Sequence, residues 1–177
     1  INLDGGGSTT YAARQEGSDT VEVINNPSDG SERSISAGLM IASLAVPSDT
    51  FDHVTMTAED EYVTPGTSTE ISITGVSPAG SAAEVPDGVT YEVTNGTYEH
   101  GVLTAGTEGD VTLTAYYEGE EVGYATIHAV VPDTLTFNSA AITVPFGKTV
   151  TIGLTASYGL NEVKIKADDL SFELSND

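Results

Sequence analysis

The sequence predicts an all-β protein whose strands are short, antiparallel and packed as a β-sandwich. Val, Ile, Thr and Tyr alternate with polar residues along much of the chain, which is the period-two pattern of half-buried strands. Gly, Pro, Asn and Asp interrupt these stretches at intervals of about ten to twenty residues, a spacing typical of sandwich folds. Helix signals are nearly absent, and 177 residues suit one medium domain or two small ones.

Five stretches in the middle of the chain carry the strand pattern. They are VTMTA (54–58), STEISITGV (68–76), GVTYEVTNG (88–96), DVTLTAYYEG (110–119) and VGYATIHAVV (122–131). The segment EGEE (118–121) connects the last two and predicts a tight hairpin turn.

A shift of the sequence by 81 positions brings three separated blocks into register. The aligned blocks are VTM (54–56) with LTF (135–137), the region of Gly66 with that of Gly147, and VTYEVTN (89–95) with LSFELSN (170–176). One shared offset without gaps predicts a second copy of the unit. In this copy, TVTIGL (149–154) replaces the strand STEISI (68–73).

The second copy ends before the counterparts of the last three strands of the first copy. Half a sandwich exposes apolar faces and an open sheet edge, which is unstable alone. We therefore expect the natural chain to continue beyond this segment, with strands supplied by another molecule as the alternative.

The charge and composition of the chain limit the classes of molecule that it is expected to bind. Five basic residues face 27 acidic ones, a net charge of −22 that disfavours binding to nucleic acid and anionic lipid. Residues 51–132 contain no Lys or Arg, so this region either binds a divalent cation such as calcium or is a solvated surface. The chain has no Cys for a disulfide or thiolate site, and no apolar run long enough for membrane insertion.

The opening stretch INLDGGGSTT has the composition of a ligand-binding loop. A short apolar strand leads to Asp4, a possible acid, base or metal ligand. Three glycines follow and allow close approach of the backbone, whose successive N–H groups can surround an anion. No GK[ST] follows, so this is not a Walker loop, and a plain turn between strands is the alternative.

NLDGGGSTTY, taken together with VEVINNPSDGSERSISAGLMIA (21–42), resembles the C-terminal end of the phosphodiester glycosidase domain. That family includes the N-acetylglucosamine-1-phosphodiester alpha-N-acetylglucosaminidase that uncovers mannose 6-phosphate. The second motif matches through Asn25 or Asn26 and the run PSDG to Glu32 and Arg33, whereas Ser34 and Ile35 stand where the family often has Pro and Val. The resemblance covers residues 1–46 and implies a β-rich fragment of an α+β catalytic domain.

The resemblance implies hydrolysis of a sugar-1-phosphodiester or related glycosidic bond, with a carbohydrate or sugar phosphate as substrate. It implies catalytic roles for Asp4 and Arg33. The substrate-binding residues that it implies are Asn2, Gly5, Gly6, Gly7, Ser8 and Thr9. Arg33 would contact phosphate through two N–H groups, or would instead pair with Asp29 or Glu32.

Residues 54–131 resemble the bacterial Ig-like domains of group 2, chiefly through PGTSTEISI and GVLTAGTEGDVTLTA. This resemblance implies an Ig-like domain at 54–132, a linker at 47–53 and the first part of another Ig-like domain at 133–177. Modules of this family space or present other domains, or adhere, on bacterial surfaces. The resemblance therefore implies an extracellular or cell-surface location and cell-wall polysaccharide as a possible partner.

A non-catalytic surface adhesion or scaffold protein is the second functional hypothesis. A glycan platform would use exposed aromatic side chains. The candidates are Tyr91, Tyr98, Tyr116, Tyr117 and Tyr124. The strand alternation places some of them in the core. The three histidines lack the spacing of a metal site, and structural or surface roles are expected for them.

Overall fold

The computed structural model describes residues 6–34, 38–46, 48–139 and 142–173, and the regular secondary structure within these residues is almost entirely β. The strands are β1 Ala12–Arg14, β2 Val21–Val23, β3 His53–Ala58, β4 Tyr62–Val63, β5 Ser68–Val76, β6 Ala82–Ala83, β7 Thr90–Thr94, β8 Gly96–Glu99, β9 Val102–Ala105, β10 Gly109–Tyr117, β11 Glu120–Ala129, β12 Thr134–Phe137, β13 Leu154–Tyr158 and β14 Asn161–Val163. A short 3₁₀ helix spans Ala167–Asp169. The predicted all-β class is confirmed.

The strands predicted from alternation lie close to their expected positions. β5 has the predicted bounds, β3 begins one residue earlier at His53, and β7 is shorter than its pattern. β10 and β11 form the predicted hairpin. Its two turn residues, Glu118 and Gly119, have positive φ angles of 52° and 86°, which is the type I′ geometry that matches strand twist.

The chain divides into two compact units, which are described separately. The first comprises residues 1–55 and 74–87, and the second comprises residues 56–73 and 88–177. The division falls within β3 and within β5, so each of these strands contributes residues to both units.

In the second unit, one sheet has the order β4-β11-β10-β7. β10 is antiparallel to β11 and β7, whereas β4 runs parallel to β11. β9 pairs with β8 and with residues 68–70 of β5, in the sheet of order β3-β5-β9-β8. Val111, Leu113 and Ala115 of β10 are buried and their neighbours less so, which is the predicted alternation.

Strands of both sheets contribute to one apolar core. Its fully enclosed members come from β4, β5, β9, β10 and β11: Val63, Ile71, Leu103, Ala105, Val111, Leu113, Ile127 and Ala129. Partly buried side chains, among them Met56, Tyr91 and Tyr98, pack against this cluster. The core therefore depends on strands that are distant in sequence, and their burial supplies most of the favourable free energy of folding.

The chain passes between the two sheets at Asn95, after β7, and at Gly106, after β9. The two points are in contact, since the amide of Gly106 donates to the carbonyl of Asn95 at 2.8 Å. A Cβ on Gly106 would lie 2.8 Å from that same carbonyl oxygen. The glycine is therefore required by the close approach of the two crossings.

β12, β13 and β14 form an antiparallel sheet with β13 in the middle. The strand expected at 149–154 is largely missing, because β13 begins at Leu154. Its counterpart in β5 is held by β9, whereas within the described ranges no strand pairs with 149–153. Residues 170–173 of the predicted LSFELSN strand are irregular, and 174–176 lie outside the described residues.

In the first unit, β1 pairs with β2, and the end of β5 pairs with β6. The turn after β5 is closed by the hydroxyls of Ser77 and Ser81, which are both buried and 2.8 Å apart. Gly75 has no room for a Cβ against the carbonyl of Ala83. In the part of the chain that the structure covers, no helix is long and apolar enough to cross a membrane.

Candidate functional site

The pairing of β1 with β2 brings the two sequence motifs together. Ala12 lies opposite Val23 in antiparallel register, and the amide of Ile24 donates to the carbonyl of Tyr11 at 2.8 Å. The glycine-rich stretch at the start of the chain, called the glycine loop below (residues 5–10), precedes β1. The segment PSDG (27–30) follows β2. Antiparallel pairing therefore places the two motifs at the same end of the ladder.

Asn25 connects the second motif to the glycine loop. Its side-chain oxygen accepts a hydrogen bond from the amide of Tyr11 at 2.5 Å, and its side-chain nitrogen donates to the carbonyl of Thr9 at 2.7 Å. The motif allowed either Asn25 or Asn26 in this position, and the geometry assigns the contact to Asn25.

A second contact between the motifs joins Gly7 to Asp29. The amide of Asp29 donates to the carbonyl of Gly7 at 2.8 Å, and the hydroxyl of Ser28 reaches the same carbonyl at 3.4 Å. A Cβ on Gly7 would collide with the carboxylate of Asp29, whereas one on Gly6 would meet nothing within 4 Å. Packing against Asp29 therefore requires the glycine at position 7.

Residues 6–9 form a turn. The amide and the hydroxyl of Thr9 both donate to the carbonyl of Gly6, at 3.0 Å and 2.7 Å, and the hydroxyl of Thr10 donates to the carbonyl of Ser8 at 3.2 Å. The carbonyls of this loop are thus occupied by donors within the protein. This arrangement reduces the repulsion that the loop would exert on an anionic ligand.

Arg33 pairs with Asp29 at 2.5 Å through Nη2. Of the two roles predicted for this arginine, the structure shows the ion pair, with Asp29 rather than Glu32 as its partner. The guanidinium is largely exposed and carries five N–H donors, so this one contact leaves donors for a second anion. Asp29 thereby orients Arg33 beside the glycine loop, through the same side chain that packs on Gly7.

The predicted site residues are partly covered by the structure. Gly6, Gly7, Ser8, Thr9 and Arg33 lie within the described segment 6–34, and Asp29 connects Arg33 to the loop. The predicted residues Asn2, Asp4 and Gly5 lie outside the described residues. From the sequence, Asp29 is expected only as a partner of Arg33, and its contact with Gly7 is missed because that contact depends on the β1–β2 pairing.

Two of the three histidines lie beside carboxylates. His53 lies 2.8 Å from Asp52, and His128 lies 2.8 Å from Asp110. The ring of His128 also contacts that of Tyr62, with the ring centres 4.9 Å apart and the planes tilted by 37°. Among the residues that are described, no group of three His, Cys, Asp or Glu side chains is arranged to hold a metal ion.

The tyrosines divide into core and surface residues. The rings of Tyr91 and Tyr98 are 5.2 Å apart and pack against the apolar core. Burial raises the pKa of both phenols, and the neighbouring Tyr91 raises that of Tyr98 further. Tyr124, on β11, is 64% exposed and is therefore the most accessible aromatic of the β10–β11 hairpin.

The apolar segment that follows the second motif lies on the surface of the described structure. It has no regular secondary structure, and its exposed large apolar side chains are Leu39, Met40, Ile41, Leu44 and Val46. Exposure of so many neighbouring apolar residues is uncommon for a surface without a binding partner.

The chain is therefore an all-β protein with a glycine-rich loop next to its first strand pair, β1 and β2. In comparison with known families, the family model described as phosphodiester glycosidase matches residues 1–42. This segment is similar to a glycosidase whose substrate contains a sugar, and it includes both motifs and the β1–β2 pair. A search of curated proteins finds no match.

Proposed function

We propose that residues 1–46 belong to a catalytic domain that hydrolyses a sugar-1-phosphodiester or a related glycosidic bond. The observation that carries the proposal is the contact between the two motifs, in which Asp29 touches Gly7 and holds Arg33. The family match over residues 1–42 supports a sugar substrate. The exposed apolar segment 38–46 is what a segment of a larger domain would show.

The proposed chemistry needs stabilisation of an oxocarbenium-like sugar and of a phosphate leaving group. In this proposal the amides of residues 5–8 and the guanidinium of Arg33 face phosphate oxygens. Asp4 positions the attacking water or orients the sugar ring. Asp29 limits the motion of Arg33, so that less conformational entropy is lost when phosphate binds.

The remaining residues form spacer modules of a bacterial cell-surface protein in this proposal: an Ig-like domain at 54–132 and the first part of another at 133–177. The internal repeat has a structural counterpart that supports it. The amide of Asp52 donates to the carbonyl of Val76 at 2.9 Å, and that of Asp133 to Ser157 at 3.0 Å. Donor and acceptor are each shifted by the same 81 positions.

Kinetics in the full natural protein test the catalytic part of the proposal. Arg33→Ala removes a charge-assisted contact of about 1.5–3 kcal/mol, so kcat/KM for a sugar phosphodiester should fall about 10- to 100-fold. Asp4→Asn should lower it by a factor of about 10²–10⁴. Arg14→Ala is the matched control, because Arg14 donates to the carbonyl of Ala79 at 3.1 Å and has no role in the proposed site. Folded Asp4→Asn and Arg33→Ala variants with wild-type kcat/KM would exclude this assignment.

A second candidate function is adhesion to a glycan through the spacer region, with cell-wall polysaccharide as the partner. The 64% exposure of Tyr124 is the observation that favours it. Binding to insoluble polysaccharide that is lost in Tyr124→Ala would support adhesion. Equal binding of the parent protein and Tyr124→Ala to the polysaccharide would exclude Tyr124 as the glycan-binding residue.

A further inference from the structure

We propose that β4 is a docking strand that fixes the sheet β12-β13-β14 in one orientation on the core built within residues 56–73 and 88–132, and that β4 does so by binding Lys164. β4, Lys164, the sheet β12-β13-β14 and residues 56–73 and 88–132 all lie in the second compact unit. The inference concerns the connection between the two segments and does not depend on the proposed catalytic activity.

The backbone of β4 is hydrogen-bonded on both sides. On one side, the amides of His128 and Val130 donate to the carbonyls of Glu61 and Val63, at 2.7 Å and 2.9 Å. On the other side, Lys164 donates to the carbonyl of Tyr62 and accepts from the amide of Thr64, both at 2.9 Å. Lys164 is thus bound as one further parallel strand position beyond β4.

The side chain of Lys164 meets a carboxylate that the core already holds in place. Nζ of Lys164 lies 2.6 Å from Oδ2 of Asp60. The hydroxyl of Thr69 donates to the same oxygen at 3.1 Å and accepts from the amide of Asp60 at 2.9 Å. Because Thr69 is only 1% exposed, Asp60 is anchored to the core and needs little reordering to receive the lysine.

Burial fixes the register of this contact. Val63, the bridge partner of Lys164, is 0% exposed, and Val163, which precedes the lysine, is 3% exposed, so both side chains face inward. A slip by one residue would turn Val163 outward and the lysine inward, away from Asp60. The hydroxyl of Thr64 also reaches the carboxylate of Asp169 at 3.4 Å, which adds a polar contact beyond the bridge.

The chain has no native cysteine, so a pair of spin labels can be introduced without background labelling. Glu120→Cys on β11 and Thr136→Cys on β12 occupy exposed positions of the two segments. Pulsed electron resonance on the full chain should give a single narrow distance peak. Lys164→Ala and Asp60→Asn should each broaden that peak, whereas Lys148→Ala, at another exposed lysine with the same charge change, should not.

Two further variants separate the backbone contact from the ion pair. Lys164→Pro removes the amide that donates to Tyr62 and should broaden the peak even in high salt. The exchange Asp60→Lys with Lys164→Asp should restore the narrow peak that either single reversal loses. A broad peak in the parent protein, or an unchanged peak in folded Lys164→Ala and Lys164→Pro, would overturn the proposal.

Discussion

Asn95 holds together the two points at which the chain passes between the sheets. Its φ angle of 57° lies in the left-handed region that Asn tolerates better than most residues. Its side-chain nitrogen donates to the carbonyl of Thr107 at 2.8 Å, and its side-chain oxygen accepts from the amide and the hydroxyl of Thr107, both at 2.9 Å. The side chain thus replaces backbone pairing where neither sheet supplies a partner.

We expect Asn95→Ala to lower the free energy of unfolding by about 2–3 kcal/mol, because it removes four side-chain hydrogen bonds, one of them to the carbonyl of Asp110, and adds backbone strain. Asn95→Gly keeps the backbone conformation accessible and should cost less. Urea unfolding of the three proteins measures both values. A loss below about 0.5 kcal/mol in Asn95→Ala would show that the side-chain hydrogen bonds of Asn95 contribute no more to stability than an ordinary surface residue does.

Gly7 is the residue whose substitution separates the two motifs. Gly7→Ala places a methyl group where the carboxylate of Asp29 lies, so Asp29 has to move away from position 7, which disturbs its ion pair with Arg33. Amide NMR spectra should show shifts at positions 29 and 33. Gly6→Ala is the control, since its added Cβ meets nothing within 4 Å. Equal shifts in both variants would mean that the observed packing on Gly7 is not specific.

At the scale of elements, the β10–β11 turn offers a stabilising change. Glu118 occupies a positive-φ position of a two-residue turn, where Asn is strongly preferred. Glu118→Asn should raise the free energy of unfolding by about 0.5–1 kcal/mol. Glu118→Gln removes the same charge without the conformational preference. An equal gain in both variants would assign the effect to charge instead of turn geometry.

The Tyr91–Tyr98 pair, on β7 and β8, makes stability sensitive to alkaline pH. Burial raises the pKa of both phenols above 10.0, so the folded state binds these protons more tightly than the unfolded chain does. Their contribution is complete below pH 10 and is lost as pH rises through the folded-state pKa values. Stability should therefore fall between pH 7 and about pH 11.

Tyr98→Phe removes one of these titrations and should keep a larger fraction of its neutral-pH stability at about pH 11. Tyr124→Phe, at a 64% exposed position, is the control and should follow the parent protein. Urea unfolding at the two pH values gives the comparison. An identical alkaline loss in Tyr98→Phe and the parent would exclude the buried phenol as its cause.

Alternation predicted the long strands because one face of each packs on the core, as in β5 and β10. Alternation did not predict β4, because a strand of two residues is too short to show a repeating pattern of apolar and polar residues. β4 is nevertheless hydrogen-bonded on both sides. The repeat predicted strand at 149–153 from side-chain pattern alone, but a strand also needs a pairing partner. Lys164 had no local signal, since its partner Asp60 lies more than a hundred residues earlier.

For the candidate site, residue types and motif order predicted the loop and the arginine. Sequence spacing permits both a phosphate contact and an ion pair for Arg33. The structure shows the ion pair with Asp29, four residues earlier, and the β1–β2 ladder places that aspartate on Gly7, while the phosphate contact stays a proposal. The hydrogen bonds of Asn25 to residues 9 and 11 could not be predicted from the sequence either, since they depend on strand register and not on residue type.

For the whole molecule, a net charge of −22 should make stability depend on ionic strength. Self-repulsion destabilises a compact state, and raising salt from about 10 mM to about 150 mM shortens the screening length from about 30 Å to about 8 Å. The same salt weakens exposed ion pairs such as Arg33–Asp29, but each of these contributes only about 0–1 kcal/mol. Repulsion among 27 acidic side chains dominates, so the melting temperature at pH 7 should rise by a few degrees.

Calorimetry at several NaCl concentrations measures this rise. The matched control is the same series near pH 4.1, the isoelectric point, where the net charge is close to zero and the rise should largely vanish. A melting temperature at pH 7 that stays constant or falls with salt would mean that attractive pairs outweigh the repulsion. In that case the five Lys and Arg side chains would attract the acidic residues more strongly than the described residues indicate, among which two Lys or Arg ion pairs are present.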